Sequence, residues 1–414
     1  MLKQTDPEIA DLIQKEIDRQ RDGIALISAE NYTSKAVLEA LGSVLTNKYS
    51  EGYPGKKYYG GNEYIDQIEI IAIDRVKQLF GAQHANVQPH TGAAANIAAY
   101  KAFLEIGDVF MGLRLDQGGH LTHGSPVNFS GQWFRPVFYE LDKETQQIDY
   151  DNMKKQALET KPKMIIAGFT IYPREVDFKA VREAADACGA YFMADISHIA
   201  GLIAGKVHNN PAPYADIVTS TTHKTLRGPR SAFILCKKEH AARVDKAVFP
   251  GLQGGPLDHS IAAKAVCFKE AMKPEFKEYA QQVVKNAKTL ASVLTEGGMS
   301  LVTGGTDTHT MFGDVTSLGV TGKEAQNLLE SAGIYINMNM IPWDKRKPMD
   351  PSGVRIGTPQ VTTRGMRESE MEHIGEMILR VMKNKNDKQI TEKVREEVKE
   401  LCEQFPIYAD LKVE

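Results

Sequence analysis

Thr219-Ser220-Thr221-Thr222-His223-Lys224-Thr225-Leu226-Arg227-Gly228-Pro229-Arg230 is the stretch on which the fold turns. It follows the strand-like run Tyr214-Ala215-Asp216-Ile217-Val218, so Lys224 falls at or just past the carboxyl end of a buried strand, where α/β proteins gather ligands. A lysine there is a candidate nucleophile. It forms Schiff bases with carbonyl compounds once burial or a nearby cation, such as Arg227, Arg230 or His223, lowers its ammonium pKa. A basic loop on a solvated edge is the plainer alternative for one lysine taken alone.

Outward from this stretch, apolar runs of strand length recur at Val109 to Leu113, Arg135 to Tyr139, Met164 to Ala167, Ala190 to Ala194, Ile217 to Thr219 and Ala232 to Cys236. Periodic helical segments such as Phe178 to Ala187 separate them, an alternation that predicts a mainly parallel sheet covered on both faces. Asp195 directly follows one run, where an unpaired carboxylate is costly and a cationic partner is expected; a structural ion pair is the alternative. His198 lies three residues later. Gly118-Gly119-His120 follows the strand ending near Leu113, and the glycines free His120 to present a flat ring, although a core or turn histidine explains either His alone. Ala85 to Gln88, the turn at Pro89-His90 and Thr91-Gly92-Ala93 read as strand, tight turn and helix. The first-turn amides and dipole of that helix favour an anion such as phosphate, with an ordinary N-cap at Thr91 as the alternative.

At 414 residues the chain exceeds what one core supports, so two lobes are expected. Apolar residues at 42%, charged residues at 25% and a net charge of −3 are ordinary globular values, and they give no electrostatic reason to bind nucleic acid or an anionic membrane. Cys188, Cys236, Cys267 and Cys402 are scattered without a C-x-x-C pair, which fits a reducing cytoplasm. Pro7 to Arg21, capped by Asp6, reads as an amphipathic helix lacking a signal-peptide centre, and no run reaches membrane-spanning length. No metal-spacing motif or internal repeat is present.

Ser34 caps a second expected helix that runs through Leu45, and a third spans Asp66 to Phe80. Between them, Asn47 to Asn62 carries Glu51 and the tyrosines 49, 53, 58 and 59 among glycines, the make-up of a site-bearing loop or of a structural tyrosine cluster at an interface. Helices Ser260 to Met272 and Tyr279 to Leu294, the latter joining the lobes, lead to a smaller α+β lobe. Its strands are read at Ser300 to Val302, Met311 to Val315, Ile334 to Asn337 and Gly353 to Thr358, and its helices at Lys323 to Ser331, Glu368 to Met382 and Thr391 to Phe405. Arg355, on a short strand between glycines, is placed to grip a carboxylate or to form a structural ion pair. The division read from these patterns is an arm at 1–45, a large domain at 46–278 and a small domain at 279–414.

A Schiff-base lysine, an anion cup, a strand-end Asp, a flat ring and a carboxylate-binding Arg are together what pyridoxal 5′-phosphate requires when it processes an amino acid. The chain closely resembles the serine hydroxymethyltransferase family along nearly its full length. The resemblance is carried by Gly42 through Gly55 (GSVLTNKYSEGYPG), Gly118 through Phe129 (GGHLTHGSPVNF) and His223 through Arg230 (HKTLRGPR). It implies a fold-type-I enzyme with a mainly parallel seven-stranded sheet in the large domain. By that resemblance Lys224 bonds the cofactor, Asp195 pairs with its ring nitrogen, His120 stacks on the ring and His198 lies near its phenolic oxygen. Thr91, Gly92 and Ala93 form the phosphate cup, with Thr170 and His223 also on the cofactor side, and Tyr49 and Gly255 reach the phosphate from the partner subunit of a homodimer. Glu51 is the acid/base carboxylate, with Tyr58 and Tyr59 nearby, and Arg355 binds the substrate carboxylate. Leu115, Gly119, Leu121 and Asn339 correspond to folate-side positions, with Tyr58 and Lys347-Pro348-Met349 grouped there as well. The implied reaction moves the hydroxymethyl carbon of serine to tetrahydrofolate.

Departures from the family pattern cluster around substrate and folate. The usual Ala-Ser-Glu-Asn is Ser28-Ala29-Glu30-Asn31, which removes a hydroxyl at Ala29 and leaves Ser28 as the candidate substitute contact. Thr91 and Thr170 stand for serines, Ser197 for an alanine beside the ring, Met338-Asn339-Met340 for Lys-Asn-Thr or Lys-Asn-Ser, and Lys347-Pro348-Met349 for Ser-Pro-Phe. Rival expectations are a 3-hydroxy amino acid aldolase or α-methylserine hydroxymethyltransferase with the same cofactor chemistry, and a catalytically silent scaffold or RNA-binding protein.

Overall fold

Seven strands build the large sheet: β1 (His84–Asn86), β2 (Val109–Leu113), β3 (Arg135–Tyr139), β4 (Met164–Gly168), β5 (Tyr191–Asp195), β6 (Ile217–Thr221) and β7 (Ala232–Cys236), in the order β1-β7-β6-β5-β4-β2-β3. Strands β2 to β6 are parallel, and β7 alone runs antiparallel, to both β6 and β1. Every residue of β4, β6 and β7 is buried, so these strands read as continuous apolar or small runs rather than alternating ones, as two covered faces demand. On one face lies the helix Gly92–Phe103, whose Ala95, Ala98 and Ala99 are fully buried and let it pack closely in one core with Phe110, Met193 and Ile217. This is the mainly parallel seven-stranded α/β sheet expected from the sequence.

The computed structural model describes residues 1–413 and divides into two compact units. One comprises Ala29–Gln281; the other joins Met1–Ser28 to the chain from Gln282 onward. The sequence reading divides the chain at 45 and 278, whereas the compact units divide it at 28 and within the helix Pro274–Glu296. Ile24–Ala25 pairs in parallel with Ile334–Tyr335, and Ile24 and Leu26 enter the apolar core of the C-terminal part; this ties the first residues to the last third. That second unit has a four-stranded antiparallel sheet, Ser300–Leu301, Thr310–Asp314, Gly353–Gly357 and Asn337–Asn339 in spatial order, with helices Gly322–Ser331, Glu368–Lys383 and Lys388–Gln404.

Two sequence expectations are corrected. Ser34 does cap a helix, its hydroxyl accepting from the Val37 amide at 3.2 Å, but the helix stops at Leu41, where Gly42 ends it, and Val44–Asn47 forms a separate 3-10 turn. The expected strand Ile334 to Asn337 is two strands, because Ile334–Tyr335 pairs with Ile24–Ala25 whereas Asn337–Asn339 pairs with Gly353–Gly357. Among the described residues no helix is long and apolar enough to cross a membrane.

Candidate active site

The carboxyl ends of β5 and β6 lie side by side, with Asp195 registered against Thr219. The Asp195 side chain is only 8% exposed, so its charge needs partners. Asn96 donates to Oδ2 at 2.9 Å, the Ser197 hydroxyl and amide donate to Oδ1 at 2.6 and 3.1 Å, and Nε2 of the fully buried His123 faces Oδ2 at 3.2 Å. Burial pushes the Asp195 carboxyl up, but the hydrogen bond and charge of His123, the charge of His120 and the Ser197 hydroxyl together hold it well below the usual carboxylate range. The partners of Asp195 are thus a histidine and neutral donors, with no lysine or arginine paired to it among the described residues. Sequence signals for these partners exist: Asn96 is a polar residue at a buried position of an alanine-rich helix, and His123 closes the run that begins at Gly118. His120 is half-buried, and its Nδ1 accepts from the Thr122 amide at 3.2 Å, which fixes the ring plane and leaves a neutral ring's proton on Nε2.

Lys224 occupies the turn joining β6 to β7. The turn is held from several sides. Its Gly228 amide donates to Thr222 O at 2.7 Å, Asn31 donates to the carbonyl of Lys224 itself at 3.0 Å, and Thr225 donates to His198 O at 2.9 Å. Arg227 takes φ +60°, and its guanidinium lies over the Tyr279 ring at 3.9 Å. The Lys224 ammonium donates to Thr221 Oγ1 at 3.2 Å. Of the cations expected to act on it, His223 drops out: burial, together with Lys224 and Arg230, pushes its pKa down to about 3, so its ring is neutral at physiological pH. His198 is buried in the Asp195 turn, tied to the lysine loop through Thr225.

Thr91 caps the helix Gly92–Phe103 and accepts from the Ala94 amide at 3.2 Å, so the amides of Gly92 and Ala93 precede any intrahelical acceptor. A methyl group at Gly92 would lie 2.6 Å from Thr221 Cγ2, so only glycine lets the cup meet the end of β6. The carbonyl of Gly118, which takes φ +111°, accepts from the Thr170 amide at 2.9 Å. Gly119 approaches the Leu113 carbonyl so closely that a Cβ would be 2.2 Å away. Leu115 and Leu121 on the same segment are exposed.

Glu51 heads a second cluster in this unit. Tyr49 donates to Glu51 Oε1 at 3.3 Å, and the Tyr49 and Tyr59 rings meet edge to face at 5.3 Å. The charge of Glu51, then burial and Tyr49, raise the Tyr59 hydroxyl above the usual phenol range. Gly254 and Gly255 let the backbone abut this pair, since added Cβ atoms would lie 3.0 Å from Glu51 Oε1 and 3.2 Å from the Tyr49 ring. Tyr58 is exposed beside them.

The second unit holds the remaining residues. Arg355 is 9% exposed, its Nε donates to Asn337 Oδ1 at 3.0 Å, and burial pushes its pKa down to about 10, so it stays cationic at neutral pH. Ser28 is fully buried against Gly357, and its hydroxyl has no hydrogen-bond partner among the described residues. Asn339 pairs with Gly353 in the sheet, and Lys347, Pro348 and Met349 are exposed. The expected folate-side residues are therefore divided between the two units.

The family model described as serine hydroxymethyltransferase matches residues 2–378. A Koribacter versatilis protein named serine hydroxymethyltransferase is 56% identical over 409 residues, covering 99% of this chain and 96% of that protein. A Rhodopirellula baltica protein of the same name is 54% identical over 408 residues, with 99% and 97% coverage. Identity at this level over almost the whole length is kinship of sequence and not of architecture alone: the chain belongs to the serine hydroxymethyltransferase family of fold-type-I, pyridoxal-phosphate-dependent enzymes.

Proposed function

We propose that this chain catalyses the reversible transfer of the hydroxymethyl carbon of serine to tetrahydrofolate, giving glycine and 5,10-methylenetetrahydrofolate, with pyridoxal 5′-phosphate bound at the strand ends around Lys224. Asp195 carries this assignment: a buried, ionised carboxylate whose only ionisable contact partner among the described residues is a histidine, one strand from a lysine turn, suits a protonated pyridine nitrogen. The anion cup supports it independently, because Gly92 is kept free of a side chain where the helix amides open.

When bound, the cofactor supplies a conjugated ring that accepts the electron pair released at the substrate Cα. Lys224 would hold it covalently, with Asp195 at its nitrogen, His120 at its ring, His198 toward its phenolic oxygen and His223 and Thr170 on the cofactor side. The amides of Gly92 and Ala93 and the Thr91 hydroxyl hold its phosphate. Arg355, kept cationic and oriented by Asn337, would bind the substrate carboxylate and so orient the amino acid. Glu51, aligned by Tyr49 and Tyr59, takes and returns a proton at the hydroxymethyl group.

A homodimer belongs to the same reading. Tyr49, Glu51 and Gly255 cluster together, the apolar side chains of Val44, Tyr58, Tyr64, Ile70 and Ile71 in the neighbouring sequence are exposed, and Tyr49 and Gly255 would complete the partner's phosphate site. Four free cysteines, three of them buried, support a reducing cytoplasm. Leu115, Gly119, Leu121, Tyr58, Asn339 and Lys347-Pro348-Met349 are assigned to the folate side. The test is serine cleavage by purified protein with and without tetrahydrofolate: strong dependence on folate is expected, and equal cleavage of serine or threonine in its absence would make the enzyme an aldolase instead.

A further inference from the structure

Glu51 sits on a short hairpin whose backbone is anchored on both sides of it by buried polar side chains. On one side, the fully buried Ser50 donates to Asp258, its oxygen 2.7 and 2.8 Å from the two carboxylate oxygens. On the other, the Gly52 carbonyl accepts from Lys57 at 3.1 Å and from Gln88 at 2.9 Å. Both donors also bind Glu69, Lys57 at 2.6 Å and Gln88 at 2.7 Å, and the Lys57 and Glu69 side chains are only 3% and 1% exposed. Gly52 takes φ +97° and a Cβ there would lie 2.5 Å from Lys56 O, so the turn has no slack of its own. The carbonyl of Glu51 is occupied by the Tyr58 amide at 3.0 Å.

A buried ion pair of this kind adds little stability over apolar side chains of the same volume, whereas it fixes geometry, because charged hydrogen bonds tolerate few arrangements. We infer that Lys57, Glu69 and Gln88 are positioning residues for Glu51: by holding the Gly52 carbonyl they set the height and direction from which its carboxylate meets substrate. None of the three touches the reacting atoms in this assignment, which rests on the acid/base role proposed for Glu51. A slack hairpin would leave the carboxylate present and misplaced, and an error of about 1 Å in a reacting group can cost on the order of 100-fold in rate.

The test is a double-mutant cycle on the full-length holoenzyme with Lys57→Met, Glu51→Gln and both together, and with Lys57→Arg as the conservative replacement. Cofactor content and thermal midpoint are recorded beside folate-dependent serine cleavage. Lys57→Met is expected to lower kcat by about 10- to 100-fold at unchanged cofactor content, to add no further loss in the Glu51→Gln background, and to be largely rescued in Lys57→Arg. If Lys57→Met does not accumulate as folded protein, Lys57→Met/Glu69→Met, which leaves no unpaired charge, replaces it under the same criteria. Full turnover in Lys57→Met, or losses that multiply in the double variant, would overturn the inference while leaving the role of Glu51 standing. Full turnover in Glu51→Gln would instead remove that role, and the inference with it.

Discussion

The large sheet carries a buried aspartate at each end, and the two are neutralised by different means. Asp216, just before β6, receives Lys237 at 2.6 Å, Arg182 at 2.8 Å and the Phe192 amide at 2.8 Å. Burial pushes its carboxyl up, but Lys237, the amide and Arg182 hold it below the usual range. Asp195, at the opposite end of the adjacent strand, is kept ionised by three neutral donors, from Asn96 and Ser197, and by histidines, with no lysine or arginine paired to it among the described residues. At one end permanent cations close the account of charge, so the carboxylate is structural; at the other, the site retains affinity for one more positive group, which a pyridinium nitrogen would satisfy.

This contrast can be broken or sharpened experimentally. The largest effect is expected from Lys224→Ala, which would remove the proposed covalent anchor at the Asp195 end: folate-dependent turnover should fall to background and the cofactor's protein-bound absorption band should be lost, and an unchanged band would refute the assignment. Asp195→Asn should cost on the order of 100-fold or more in kcat, the scale of losing one electrostatic stabiliser, with little change in thermal midpoint. Asp216→Asn should show the reverse, losing about 3 kcal/mol of unfolding free energy because Lys237 and Arg182 lose their buried partner, while kcat in the folded protein stays within about twofold. If the two variants behaved alike, the distinction between the strand ends would fail.

Acid should expose both groups. Each folded carboxyl lies below its unfolded value of about 4, so below that pH the unfolded chain binds more protons. The stability that these groups contribute is present in full above the unfolded value and is lost as pH falls toward the folded values. Urea unfolding across this range should show a shallower acid limb in Asp216→Asn than in the wild type. The smallest effect is expected from Ser197→Ala, which removes a 2.6 Å donor to Asp195 and an acceptor for the Thr221 amide at 3.1 Å: about 1 kcal/mol of stability and a several-fold drop in kcat, measured by the same unfolding and turnover assays.

What sequence made legible follows from what is local. Strands such as Met164–Gly168 announce themselves because both faces are covered, and Lys224, Asp195 and Thr91 stand out because each follows directly on a strand or opens a helix. The partners of those residues come from elsewhere in the chain. Asn96, His123 and Ser197 converge on Asp195, and Asn31 reaches the Lys224 carbonyl from 193 positions away, through adjacency that no periodicity encodes. The pairing of Ile24–Ala25 with Ile334–Tyr335 likewise depends on a sheet edge supplied from the far end of the chain. The burial of Ser28 against Gly357 is likewise a property of the packed state that its place beside Ala29 in the sequence does not encode.

One further lysine makes the central claim directly testable. Lys264 is buried and donates to the carbonyls of Val87 and Ala232, and burial, opposed by Glu69, pushes its pKa down to about 7. By basicity alone it would be a good Schiff-base former; by geometry it is enclosed. Borohydride reduction of the holoprotein followed by peptide mapping should therefore place the reduced pyridoxal adduct on Lys224 and leave Lys264 unmodified. An adduct on Lys264 or another lysine, or no adduct at all, would contradict the assignment of the cofactor to the strand ends around Asp195.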